Sequence, residues 1–183
     1  MHHWRILREP LEGEATVWRE SPEQTLAQVL LSCDRLTAIA CADSAIRVGT
    51  LTPFQVAAVF VAMPRRVRRW ERYVDGMPDS GLESMVRVWL IDRGIPFVHH
   101  ALIPGVGEVD FLIGRSLIIE TDGKPGHDDG EGRRRDYARD TAAAISGHIT
   151  IRLSYRQVMF DWPSCEQQIL EHLSRGDHQR VIR

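Results

Sequence analysis

Apolar residues in the first half of the chain recur at the three- and four-residue spacing of helices, and in the second half at the two-residue spacing of strands. Ser21-Pro22-Glu23 supplies a cap residue, a proline at the first helical position and an acid in the first turn, and TLAQVLLSC continues with helical spacing. A second helix is predicted over Leu36–Arg47, with Gly49 as its stop. Thr52-Pro53 repeats the capped start before FQVAAVFVAM; Pro64 breaks that helix, and RRVRRWERYV predicts another. Further on, LESMVRVWLIDRG is amphipathic, with Leu82, Met85, Val86, Trp89 and Leu90 on one face and Gly94 at its end.

From there the period changes. Phe97–Ile103 reads as a strand, GVGEVDFLIG alternates up to a Gly114-Arg115 turn, and SLIIETD is a short apolar strand suited to the middle of a sheet. GKPGHDDGEG reads as a loop, RRRDYARDTAAAIS as a helix stopped by Gly147, and HITIRLS as an alternating strand. Tyr155–Met159 predicts a short helical turn and Ser164–Arg175 the last helix. The expected fold class is α/β: helix, three strands, helix, strand, helix, with a mixed sheet covered by helices and an all-helical region before it. Gly, Pro, Asp and Ser concentrate in DGMPDSGLES, Asp75–Ser84, which marks a boundary between a helical region, 1–78, and an α/β domain, 79–183.

Composition narrows the classes. With 183 residues, 43% hydrophobic and 26% charged, the chain suits one ordinary domain, or one domain with a helical extension, rather than disorder. No apolar run approaches the roughly 18 residues of a membrane span, and MHHWRILREPLEGE lacks a secretory apolar core, so a cytoplasmic location is expected. Cys33, Cys41 and Cys165 fit no zinc-finger spacing and read as free thiols. The net charge of −2 excludes nucleic-acid binding by bulk charge. Its distribution is more informative: Arg65, Arg66, Arg68, Arg69 and Arg72 form one cluster, Arg133, Arg134, Arg135 and Arg139 another, and acids lie between them. Guanidinium pairs well with phosphate oxygens, so the pattern suits a phosphodiester partner, although solvated helix faces give the same pattern.

The chemistry concentrates in GEVDFLIGRSLIIETDGKPGH, Gly107–His127, which also holds the only lysine, Lys124. Strand alternation puts Glu108 and Asp110 on one side of the first strand, and Glu120 and Asp122 on one side of the next. A hairpin through Gly114-Arg115 brings Asp110 close to Glu120. Paired carboxylates repel unless a cation lies between them, and a hard divalent ion with oxygen ligands is the natural occupant.

VDFLI followed by IIETDGKPGH, with Glu83 on the preceding helix, resembles the PD-(D/E)XK nuclease core. It is more similar to the Vsr-like branch, related to very-short-patch-repair endonucleases and common among actinobacterial proteins, in which a strand ends in E-x-D-G…H. DYARD and ITIRLSYRQV fit that branch as well. The resemblance covers Gly81 to about Val158, and the helical first half resembles, more weakly, the segment that precedes this domain in AbiEi-like antitoxins, without their winged helix. The resemblance implies a restriction-endonuclease-like core and a metal-dependent DNA endonuclease using Mg2+ or Mn2+. Asp110 and Glu120 would be ligands, with the Thr121 carbonyl as a third; Glu83 would hold the metal directly or through water. His127 would serve as general base or acid, and Lys124 would orient water or stabilise phosphate charge. Arg133, Arg134, Arg135 and Arg139 would contact DNA phosphates near the site, and Arg65, Arg66 and Arg69 would add a second contact. A non-cleaving DNA-binding or protein-interaction module in a toxin–antitoxin or phage-defence setting is the alternative, with a homodimer or protein partner through the helical region.

One departure separates these readings. Where the wider superfamily places its lysine, two residues after the glutamate, this chain has Asp122. Either Lys124 reaches back, or His127 takes the role, or catalysis is impaired. Asp128, Asp129 and Glu131 offer a second metal site or an acidic loop, and Asp136 with Arg139 a helical ion pair. His99-His100 reads as surface or core packing, and Tyr155 and Trp162 as packing of the last helix on the sheet. His2, His3 and His178 lie near the chain ends, where order is least expected.

Overall fold

The computed structural model describes residues 20–122 and 130–182, with side chains of 130–136 outside the description. The first half is helical as predicted: α1 (Pro22–Ser32), α2 (Arg35–Arg47) and α3 (Pro53–Val61) start at the caps Ser21, Asp34 and Thr52. Ser21 and Thr52 form reciprocal capping boxes with Gln24 and Gln55, which satisfies two amide groups that the helix start leaves open. The single helix expected over RRVRRWERYV is divided into α4 (Arg65–Arg68) and a 3₁₀ turn at Glu71–Tyr73. Only Val67 and Tyr73 are buried there, too sparse an apolar face to sustain three helical turns. α5 (Gly81–Asp92) follows, capped by Ser80.

A four-stranded mixed sheet comes next, in the order β1 (Phe97–Ile103), β2 (Gly107–Ile113), β3 (Leu117–Asp122), β4 (Ile149–Ser154). The first three strands are antiparallel neighbours, while β4 runs parallel to β3. A parallel return needs a crossover, and α6 (Gly130–Ser146) supplies it. α7 (Tyr155–Phe160) and α8 (Trp162–Ser174) complete the chain, with a 3₁₀ turn at Asp177–Gln179. Leu82, Val86, Trp89 and Leu90 of α5 cover one sheet face with Cys165 and Ile169 of α8. Ala143 of α6 packs on the other face with Ala101, Ile103, Val109 and Ile118. Among the described residues no helix is long and apolar enough to cross a membrane.

α5 belongs to both halves. Its sheet-facing side is the apolar face read from sequence, and its opposite side is buried too: Val88 packs with Ile39 of α2 and Tyr73. Arg87 is buried between the two halves, 3.0 Å from Asp43 of α2 and 2.9 Å from Asp75, and it donates to the Tyr73 carbonyl. Asp43 also accepts the Asp75 and Gly76 amides at 2.9 and 3.1 Å. The boundary segment is thus pinned at its start by buried charge.

Residues near the far end are also ordered. The His178 carbonyl accepts from the Arg115 amide at 2.7 Å, and Ser116 donates to the Asp177 carbonyl at 2.7 Å. Gly114, with φ 62, lies so close that a Cβ would stand 2.2 Å from the His178 oxygen. Tyr155 also departs from expectation: it is half exposed and meets Phe160 edge-on, whereas Trp162 packs edge-on against Trp89 at 5.5 Å. Tyr155 begins α7 immediately after β4, at a turn that leaves its ring outside the core.

Removing one partner of a buried pair leaves the other charge stranded. Arg87→Met strands Asp43, which is 1% exposed, and is expected to cost about 3–5 kcal/mol in urea unfolding. A loss below about 1 kcal/mol, the value of a surface pair, would contradict this role.

Candidate metal centre

The β2–β3 register pairs Phe111 with Ile119, and Asp110 and Glu120 are the next residues on the two strands, near enough for the charge of Asp110 to act on Glu120. Neither carboxylate is idle. Asp110 Oδ2 accepts from the Thr121 amide at 2.7 Å and from the Thr121 hydroxyl at 2.9 Å. Both bonds fall on one oxygen, and Oδ1 has no hydrogen bond among the described residues. Glu120 lies 3.0 Å from Arg139 of α6 and 3.7 Å from Arg152, its register partner on β4. Burial pushes the Asp110 carboxyl up, against the Thr121 amide, and the charge of Glu83 adds to the rise. Burial also raises Glu120; the two arginines oppose it, and the charge of Asp110 works with it. Two carboxylates both raised by burial, Glu120 also by the charge of Asp110 and Asp110 by that of Glu83, with an oxygen to spare, fit a hard divalent cation.

Arg139 joins α6 to the sheet beside Glu120. Its guanidinium donates to the Val106 and Glu108 carbonyls at 3.1 and 2.5 Å and to Glu120. These bonds tie α6 to the β1–β2 hairpin. Asp122 ends β3 exposed, in register with Ser154. Arg133, Arg134, Arg135 and Glu131 fall on α6, with side chains outside the description; Asp136 stands with them. Lys124, His127, Asp128 and Asp129 lie outside the described residues. Arg65, Arg66 and Arg69 are exposed, and Arg68, Arg69 and Arg72 line a shallow groove with Glu71.

Glu83 sits at the third position of α5 and is 4% exposed. Its Oε2 accepts the Asp79 amide at 2.9 Å and meets His100 Nε2 at 3.0 Å, with His99 Nε2 at 3.5 Å. Glu83, His99 and His100 thus bring three ligand atoms within 4.8 Å of one another, close enough to hold a metal ion. Asp79, His100 and Glu108 make a second, more exposed grouping around the same imidazole. Neighbours on a strand ordinarily point to opposite faces, which would leave the two histidines to surface or core packing. His100 breaks that rule with φ 51, a conformation that costs a non-glycine residue about 1–2 kcal/mol. The ladder pairs His99 with Phe111 and Ala101 with Val109, passing over His100 and Asp110. Phe111 accordingly packs toward α5 and Val109 toward α6, so the hairpin turns over at this point.

No family model matches the chain, and no curated protein or solved structure matches it either.

Burial works to raise the Glu83 carboxyl, but His99, the Asp79 amide, His100 and Ser80 together hold it down at about 2. Burial works to lower His100, but the hydrogen bond and charge of Glu83 with the charges of Asp79 and Glu108 together outweigh it, so that imidazole is raised. A depressed carboxyl contributes stability that is fully present above its unfolded value, here 4.5, and lost as pH falls through about 2. That contribution is about 3 kcal/mol. In EDTA, wild-type stability is expected to fall by about that much more than Glu83→Gln between pH 5 and pH 2, measured by urea unfolding. Equal losses in the two proteins would remove Glu83 as the titrating group.

Proposed function

We propose that the chain is a metal-dependent endonuclease with a PD-(D/E)XK, Vsr-like core, hydrolysing DNA phosphodiesters with Mg2+ or Mn2+ at Asp110 and Glu120. The observation that carries this reading is a pair of partly buried carboxylates on neighbouring strands, both raised by burial, next to a helix whose Glu83 adds to the rise at Asp110. The element order from α5 to α8 also supports it. Asp110 Oδ1 and a Glu120 oxygen would hold the ion, and the Thr121 carbonyl lies on the same strand. A bound divalent ion would supply an acidified water and neutralise charge on the phosphate. Thr121 fixes the Asp110 carboxylate in one orientation, while Arg139 and Arg152 fix Glu120. Lys124 would steady phosphate charge and His127 would move the proton; both follow the strand that ends at Asp122. Arg133, Arg134 and Arg135 would meet the phosphate backbone. The exposed Arg65–Arg72 group would add a second electrostatic contact.

One observation favours a non-cleaving, DNA-binding module instead. Glu120 already has two guanidinium partners, which satisfy much of the charge that a metal would neutralise. The absence of lysine at position 122 works in the same direction.

Nicking of supercoiled plasmid separates the two. The endonuclease reading expects Mg2+- or Mn2+-dependent nicking that falls to the EDTA background in Asp110→Ala, with the circular dichroism spectrum retained. Nicking unchanged in that variant would sink it. DNA affinity without turnover would leave the binding module standing. Either way, reversing the charge of one phosphate-contacting arginine, Arg69→Glu, is expected to weaken binding uniformly across sequences. It should also lower the log–log salt slope by about one. An unchanged slope would show that the groove at Arg68–Arg72 does not meet DNA.

A further inference from the structure

Within the Glu83 cluster, the hydrogen bond from His100 to Glu83 accounts for one imidazole and leaves the other unexplained. The His99 side chain is 9% exposed, and both its ring nitrogens are buried without a hydrogen-bond partner among the described residues. A neutral imidazole carries one N–H donor and one acceptor, and a protonated ring carries two donors. In each state His99 keeps an unanswered polar group inside the protein, which native structures rarely leave. Its ring stacks on Phe111, with centroids 4.9 Å apart and an angle of 15°, so it is held in place by packing rather than by polar contact. Its Nε2 stands 3.5 Å from Glu83 Oε2, near enough to help hold that carboxyl down but too loosely placed to form a hydrogen bond, and within reach of a shared third atom.

The spacing identifies that atom. Four ligands at about 2.0–2.1 Å from a tetrahedral metal lie about 3.3–3.4 Å from one another. The two nitrogen-to-carboxylate distances, 3.0 and 3.5 Å, bracket that value. Two imidazoles and one carboxylate form a borderline-soft donor set, which suits zinc-class transition metals and not magnesium, with its preference for oxygen. The left-handed backbone at His100 is what allows two consecutive strand residues to face one carboxylate. The negative charge of Asp110 is close enough to be felt by Glu83 and His100, and would offset the excess charge of a divalent ion there.

We propose that Glu83, His99 and His100 form a site for one divalent zinc-class transition-metal ion, with one coordination position left open to solvent or substrate. The site differs in donor chemistry from the oxygen-only centre at Asp110 and Glu120, and it does not depend on the nuclease reading.

Cobalt(II) is the probe, because four-coordinate cobalt gives strong visible ligand-field bands and zinc displaces it silently. EDTA-stripped full-length protein is expected to develop those bands with one cobalt per chain, to lose them on adding one equivalent of zinc, and to keep them in excess magnesium. His99→Phe retains the stack on Phe111 and removes both nitrogens, and is expected to weaken cobalt binding by more than about 100-fold. Changes to groups outside the ligand set alone cost about 10–100-fold. Circular dichroism of that variant checks the fold, and Glu83→Gln serves as a second ligand variant. Glu120→Gln, which alters only the oxygen centre, should retain the bands. No cobalt binding in the wild type, or equal binding in wild type and His99→Phe, overturns the proposal. Neither result bears on magnesium-dependent nicking, and a failure of nicking leaves the cobalt titration unaffected.

Discussion

A charged arginine buried on the inner side of α5 sets the arrangement of both halves. Arg87 is nearly inaccessible, so its charge is supportable only while Asp43, Asp75 and the Tyr73 carbonyl surround it. Those groups come from α2 and from the segment that leads into α5. Apolar contact between α2 and α5 tolerates sliding and rotation; an ion pair in a low-dielectric interior tolerates neither. One helical turn earlier on α5 stands Glu83, four residues before Arg87. The clamp that orders the helix bundle therefore also fixes the position of the helix-borne acid against β1.

Two kinds of electrostatic problem meet on the sheet, and the chain solves them differently. Glu120 faces guanidinium groups from α6 and β4, while Asp110 depends on the amide and hydroxyl of a single threonine. Pairing with arginine lowers the energy of an ionised Glu120; two hydrogen bonds to one oxygen orient Asp110 but leave its burial only partly offset. An acid of the second kind gains more from an incoming cation. Arg139 binds two hairpin carbonyls as well as Glu120, so the same guanidinium that moderates the site's charge fastens the crossover helix to the hairpin.

The sequence made visible what depends on a regular period. The apolar face of α5, the hairpin turn at Gly114 and the nearness of Asp110 to Glu120 follow from spacing. What escaped depends on departures from period or on distant register. His99 and His100 converge on Glu83 through one left-handed residue, and a histidine carries no mark of that conformation in its neighbours. Arg152 meets Glu120 only because β4 runs parallel to β3 in one register, which is set by the length and packing of α6. The bonds of Arg139 to carbonyls of the β1–β2 hairpin, 33 residues earlier at Val106, likewise depend on distant packing that a basic run on a helix does not show. Tyr155, expected to pack the last helix on the sheet, stands at the first position of α7 and half exposed.

The contacts between the β2–β3 turn and residues 177–180 bear on the order in which the molecule is assembled. Ser116 and the Asp177 carbonyl are 61 residues apart in sequence, and the Arg180 amide returns to the same serine at 2.9 Å. A hairpin is ordinarily a local structure, fast to form and complete in itself. Here the hairpin that carries Asp110 and Glu120 reaches its final form only after β4, α7 and α8 have been synthesised and docked. A nascent chain released short of that point would have the acids but not the clasp on the turn between them, so competence at the sheet is tied to completion of the domain.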